Sequence, residues 1–332
     1  MRTALCERLQ IDVPIIQAAM GGAVGPRLAA AVSNAGGLGM LVLTGADSDT
    51  IRSEVRATKA LTRRPFGVNL NLNRQQHERL AVLLEEGVPV ISLFWGDPAP
   101  LIEQAHMGGA VVLHTSASAD EARRVVDAGV DIVVAQGWEA GGHVRGTVST
   151  MALIPAVVDA VHPTPVVAAG AIADGRGLAA ALALGAAGAW IGTRFLASEE
   201  ASIHPRYRER ILEAKETDTY FGELFDIGWP DAPHRVLRNR TVEEWEAAGR
   251  PPSGQRPGEG ETIARSPTAE IVRYRSCTPG PAFEGDIDAL PMWCGQGVRL
   301  VREVKPAGEI VREIAEEADA QLKRLAQQRP SP

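Results

Sequence analysis

Eight short apolar runs, each followed by a polar or amphipathic stretch, set the rhythm of the first two hundred or so of the 332 residues. They are VPIIQA (13–18), LGMLVL (38–43), FGVNL (66–70), VPVISLF (88–94), AVVLHT (110–115), DIVVAQ (131–136), PVVAAG (165–170) and GAWIG (188–192). Runs this short, continuous and rich in Val and Ile suit strands buried on both faces, which is the condition of a parallel sheet covered by helices. The intervening stretches carry helix punctuation. SADEARRVVDAG starts at a capping Ser118 and stops at Gly129; DGRGLAAALALG starts at Asp174 and stops at Gly185. Eight β/α units favour a closed parallel barrel, the TIM (β/α)8 fold, over an open doubly wound sheet.

The rhythm fails near residue 221. DIGWPDAPHRVLRN and GRPPSGQRPGEGETIARSPT are rich in Pro, Gly and Arg, and the stretch near 250–268 reads as flexible. Order is expected to return at GQGVRLVREVKPAGEIVREIAEEADAQLKRL, whose last part has the pattern of a long amphipathic helix. The expected organisation is a barrel over 1–220, an inserted segment over 221–294 that covers the barrel mouth, and residues 295–332 with a helix returning to the barrel. Pro and Gly in the insert argue against a core of its own, and Trp229, Trp245 and Trp293 are candidates to lie over a flat ligand.

Composition narrows the function classes. A net charge of −7 disfavours sequence-independent nucleic-acid binding and anionic membranes. The three cysteines, Cys6, Cys277 and Cys294, have neither metal-ligand spacing nor the density of a disulfide scaffold, so no metal is expected. No signal-peptide pattern and no run of 18 apolar residues occurs, which makes a cytoplasmic enzyme the default. Oligomeric state is left open, with a homo-oligomer among the expectations.

In such a barrel the chemistry lies at the C-terminal ends of the strands. Met20 and two glycines follow the first run, and Asn69 sits on the third. His114 is on the fifth and Gln136 ends the sixth, just before EAGGH with Gly141, Gly142 and His143. Gly170 ends the seventh run and Gly192-Thr193 the eighth, the loops that form the usual phosphate site of this barrel, where backbone N–H groups can hold a phosphate without lysine. Taken singly, each has a bland reading: a turn glycine, a loop cap, a core histidine, a packing methionine. Gathered at one end of a barrel, they point to a flat, phosphate-bearing ligand across its mouth. AGGLG (35–39) precedes a strand instead of opening a helix after one, so it is not a dinucleotide fingerprint, and no zinc-protease, C-x-x-C or P-loop pattern occurs.

PIIQAAMGG, FGVNL, AQGWEAGGH, VVAAGAIADGRG and GAAGAWIGTRFL together resemble the nitronate monooxygenase family, formerly 2-nitropropane dioxygenases. The resemblance covers residues 11–215, returns at 295–311, and is loose over 221–294. It implies an FMN-bearing TIM barrel. FMN would be held at Asn69, Gln136, Gly141 with its neighbour Gly142, Gly170 and the run Trp190, Ile191, Gly192, Thr193, with Ala19, Met20 and Gly21 near the isoalloxazine ring. His143 matches the family's active-site histidine. The implied activity is oxidation of alkyl nitronates, or of nitroalkanes, by O2 to carbonyl compounds and nitrite, with a small molecule and O2 as the only partners. Flavin-dependent enoyl-acyl-carrier-protein reductases share the barrel and the EAGGH turn. NADH-linked reduction therefore stays open, as does a flavin-binding role without turnover.

Overall fold

A computed structural model describes residues 1–328. All eight apolar runs form parallel strands. They are β1 (Ile15–Gln17), β2 (Gly39–Val42), β3 (Phe66–Asn71), β4 (Val90–Phe94), β5 (Val111–Ser116), β6 (Ile132–Gln136), β8 (Val166–Ala169) and β9 (Gly188–Ile191); β7 (Gly142–His143) is a short strand of the mouth, outside the barrel. The order β1-β9-β8-β6-β5-β4-β3-β2 is that of a barrel opened at one seam, and a parallel bridge between Ile16 and Leu38 closes it. Buried Gln17 stitches the same seam: its Oε1 accepts from Met40 N–H at 3.1 Å.

Strand alternation sorts the side chains into two layers. Ile16, Leu38, Met40, Val90, Leu113, Val134 and Val167 fill the barrel interior, and the N-terminal helix Ala4–Leu9 plugs its lower end with Leu5, Cys6 and Leu9. Residues of opposite phase, such as Ile15, Ile91 and Val133, pack outward against the helical ring. The expected caps are present: Ser118 Oγ accepts from Glu121 N–H, and Asp174 Oδ1 from Arg176 and Gly177 N–H. The last helix, Ala307–Gln327, packs between helices Gly175–Ala183 and Pro26–Asn34, completing the ring outside β8, β9 and β1. A Cβ at Gly175 would collide with Glu317 and Ala318, so this glycine permits the close approach, and Gly175 N–H donates to Glu317 at 3.0 Å.

The chain between helix Pro205–Glu213 and that last helix carries two small sheets. β10 (Thr219–Gly222) pairs antiparallel with β11 (His234–Leu237), which pairs in turn with β7 of the barrel mouth. β12 (Thr262–Arg265) lies between β13 (Glu270–Val272) and β14 (Glu284–Gly285). Two expectations are corrected here. The segment has a core, formed by Leu224, Phe225, Val236, Val242 and Tyr274 with Tyr220 and Trp245 against it. Residues 250–268 are not a loose loop: Arg256, only 6% exposed, pairs with Asp226 at 2.9 Å and with Glu259, donates to Leu224 O, and lies over the Tyr274 ring. One guanidinium with several partners organises a polar stretch that hydrophobic periodicity does not reveal.

Candidate active site

A cavity of about 520 Å³ opens at the C-terminal ends of the barrel strands, within the range usual for small-molecule and cofactor sites. The structure brings to its wall Ala19, Met20 and Gly21 after β1, Asn69 on β3, Gln136 on β6, Gly141, Gly142 and His143 beyond it, Gly170 after β8, and Trp190, Gly192 and Thr193 from β9 onward. Ile191 is the exception. The two-residue period that turns Trp190 to the cavity turns Ile191 outward, where it is fully buried among Ile15, Phe195 and Ile211.

The amides are oriented by carbonyl acceptors. Asn69 Nδ2 donates to Ser92 O at 3.2 Å and Gln136 Nε2 to His143 O at 3.1 Å, so both side chains keep their own carbonyl oxygen for a ligand. At the β8 end Gly170 (φ +117°) and Ala171 (φ +54°) form a turn of left-handed residues, and a non-glycine there is a local strain typical of binding turns. Gly297 from the returning chain packs on that turn, and Thr193 Oγ1 accepts from Gly295 N–H at 3.0 Å.

The two glycines of EAGGH have different jobs. A Cβ at Gly141 would run into the backbone of Cys294 and Gly295, so that position admits the returning chain. Gly142 has φ +73°, and an added Cβ there meets nothing within 4 Å. Gly21 is similarly open, with Val42 Cγ1 at 3.9 Å as the nearest atom to an added Cβ. Bare backbone therefore faces empty space where a ligand can approach closely.

His143 sits at the junction of barrel and insert. β7 holds its backbone opposite His234, and its ring stacks on Trp229 with centroids 3.8 Å apart while Trp293 lies at 5.2 Å on a 33° tilt. Phe94 and Trp95 extend the aromatic wall through Trp229. Burial, with His234 nearby, pushes the imidazolium down to about 3, so His143 is uncharged at neutral pH. Its Nε2 is buried and has no protein partner, an uncommon state for a buried nitrogen. Trp245 is not at the cavity: it packs on Tyr220 and donates to Pro251 O. His114 is a core histidine, fully buried, with Nε2 at 3.3 Å from Gly96 O.

Several lining residues were not singled out in the sequence: Thr44, Gly45, Asn71, Asn73 and Arg74 after β2 and β3, and Ser276, Cys277 and Thr278 of the insert. The polar NLNRQQ directly after a strand was the available signal for the first group, by the same strand-end rule. The second group offered none. Thr278 reaches the site because its Oγ1 donates to Gly21 O, 257 positions away in sequence.

A family pattern described as nitronate monooxygenase matches residues 2–78 and 70–317. The chain belongs to the nitronate monooxygenase family. It is 34% identical to a nitronate monooxygenase of Pseudomonas aeruginosa, over 93% of this chain and 97% of that one. It is 40% identical, over 75% of this chain and 70% of the other, to the Mycobacterium tuberculosis (3aS,4S,5R,7aS)-5-hydroxy-7a-methyl-1-oxo-octahydro-1H-indene-4-carboxyl-CoA dehydrogenase. Among solved structures, FabK from Thermotoga maritima superposes with a TM-score of 0.86 at 35% identity, covering 98% of this chain and 99% of its own. A nitroalkane oxidase from Streptomyces ansochromogenes gives 0.78 at 30% identity, covering 97% and 100%. The family and these relatives make the protein an oxidoreductase of the TIM-barrel type. Among the described residues no helix is long and apolar enough to cross a membrane, and no cluster of His, Cys, Asp or Glu is arranged to hold a metal.

Proposed function

We propose that this site holds FMN across the barrel mouth and oxidises nitronates with O2 to carbonyl compounds and nitrite. The open backbone at Gly21 and Gly142, the free carbonyls of Asn69 and Gln136, and the absence of any carboxylate among the lining side chains suit a flat ring with a phosphate. Gly170, Ala171, Gly192 and Thr193 would take the phosphate end, and Met20 with Gly21 would lie by the ring. Bound there, a flavin would supply the redox chemistry between substrate and O2, while the protein supplies position and electrostatics.

The state of His143 carries the choice of substrate. An imidazole whose conjugate acid titrates near 3 is too weak a base to take the α-proton of a neutral nitroalkane efficiently at neutral pH. It remains a good hydrogen-bond donor. A nitronate has already lost that proton, and its oxygens can accept from a ring N–H of a neutral His143. Trp229 and Trp293 lie against the imidazole ring and fix its orientation, so the reacting anion meets a positioned donor.

A second reading, hydride transfer involving NADH and a thioester, is favoured by the 40% identity to the carboxyl-CoA dehydrogenase. Anaerobic mixing separates the two. Purified protein should be yellow and release FMN, not FAD, on denaturation. Ethylnitronate should bleach the flavin within seconds, with NADH and NADPH much slower. Fast bleaching by NADH with ethylnitronate inert would replace the first reading by the second. Colourless protein that cannot be reconstituted with FMN would remove both.

A further inference from the structure

We propose that Arg74 is the specificity-determining residue of this cavity, the fixed positive charge that selects anionic substrates over neutral molecules of the same skeleton. The proposal deepens the reading above and rests on the cavity being the substrate site.

Among the described side chains that line the cavity, Arg74 alone is charged at neutral pH: no Asp, Glu or Lys takes part, and His143 is uncharged. The protein as a whole carries −7, so an anion approaching the mouth meets repulsion except where a cation is placed. Many of the other arginines are paired with carboxylates, as where Arg52 and Arg56 share Glu86. Among the described residues no carboxylate lies in ion-pair range of Arg74.

The loop that carries it is fastened on both sides. Asn71 N–H donates to Thr44 Oγ1 at 2.9 Å, and Asn73 N–H to Asn71 Oδ1 at 3.2 Å. Gln76, 1% exposed, donates from Nε2 to Asn71 O at 2.7 Å. The backbone under Arg74 is thus set before a ligand arrives, while its side chain stays exposed at the rim. His143 contributes a hydrogen bond without charge, from the turn after β6. Arg74 contributes charge from the loop after β3, on another side of the mouth. An anion is the ligand that uses both.

The matched probes are ethylnitronate and nitroethane, its conjugate acid, which differ by one proton and interconvert slowly enough to be assayed separately. Arg74→Gln should raise KM for ethylnitronate about tenfold, with kcat changed less than about twofold, and leave the inhibition constant of nitroethane against ethylnitronate unchanged. Arg74→Lys should recover most of the loss and Arg74→Glu deepen it, with flavin content equal in all four proteins. Raising ionic strength from about 0.02 to about 0.3 M should raise the wild-type KM for the anion and leave that of Arg74→Gln flat, because the shortened screening length removes what the charge supplies. An unchanged KM for the anion, or an equal rise for both probes, would overturn the proposal. Should wild-type protein not turn over ethylnitronate at all, the functional reading fails on its own, and Arg74 is then judged by benzoate binding, read from quenching of cavity tryptophan fluorescence. Weaker binding to Arg74→Gln, but not to Arg74→Lys, would support it; equal binding to all would reject it.

Discussion

The barrel interior is filled by aliphatic side chains such as Ile16, Leu38, Val90 and Val167, each contributing area and little else. The core of the segment above it is built from Phe225, Tyr274, Tyr220 and Trp245, with the buried Arg256 bound to Asp226 and Glu259 beside it. The first kind of core follows from periodicity and tolerates volume-conserving swaps among aliphatic residues. The second depends on particular partners at particular distances, and loses cohesion when one is removed. The site lies where the two meet. On this division the barrel would hold the proposed cofactor, and the upper segment, through β11 and Trp229, would shape what reaches His143.

The largest expected effect tests that division at its seam. His143→Ala should lower turnover of a nitronate by about 10² to 10⁴, the usual worth of a positioned donor or acid–base group. FMN content should stay near that of wild type, because the proposed cradle is backbone and amide. Flavin content and turnover, measured on the same preparation, decide it. Loss of flavin in proportion to activity would show that barrel and upper segment do not divide the work.

Legibility followed the same line. All eight barrel strands and the caps at Ser118 and Asp174 were readable because their causes are local: an apolar run, a side-chain acceptor placed before a helix. The cluster at the mouth was readable once strand ends were taken as one place. The motif names a run where a strand alternates, and the Ile191 side chain turns out of the cavity. Trp245 and residues 250–268 went astray for a different reason. Arg256 meets Asp226 across 30 positions and Tyr274 donates to Pro257 O across 17, and no window of sequence displays such pairs. Gly141 had a glycine's signal but not its cause, since the Cys294–Gly295 backbone that excludes a side chain there arrives from far along the chain.

A second, smaller effect sharpens the comparison energetically. Arg256→Met keeps the aliphatic volume but leaves Asp226 and Glu259 without their cation. Fully buried pairs cost about 3–5 kcal/mol to break in this way. These carboxylates keep about a fifth to a quarter of their side-chain surface exposed, so about 1–3 kcal/mol is expected after allowing for solvent screening. The loss should be local. Amide exchange should quicken across 221–294 and leave β3 to β6 protected, and KM should rise while flavin stays bound. Uniform loss of protection through the barrel would mean that the two regions unfold as one.

The smallest effect concerns pH at the seam itself. Burial lowers the imidazolium of His143 to about 3 and lowers that of His234 as well, from an ordinary value near 6.5. His234 is locked neutral: Phe225 N–H donates to its Nε2 at 3.2 Å, so Nδ1 carries the proton and donates to Ala232 O at 2.9 Å. Above about pH 6.5 both rings are uncharged whether the chain is folded or not, and they cost nothing. As pH falls from there toward 3, the unfolded chain takes up protons that the folded protein excludes, so stability declines across that window. Thermal midpoints between pH 7 and pH 5 should therefore drop more in wild type than in His143→Phe, which removes one of the two protons and keeps a ring between Trp229 and Trp293. Carboxylates that titrate in the same range are common to both proteins and cancel in the difference. Equal slopes would mean that His143 charges freely inside the fold, and the argument that it acts as a neutral donor would go with them.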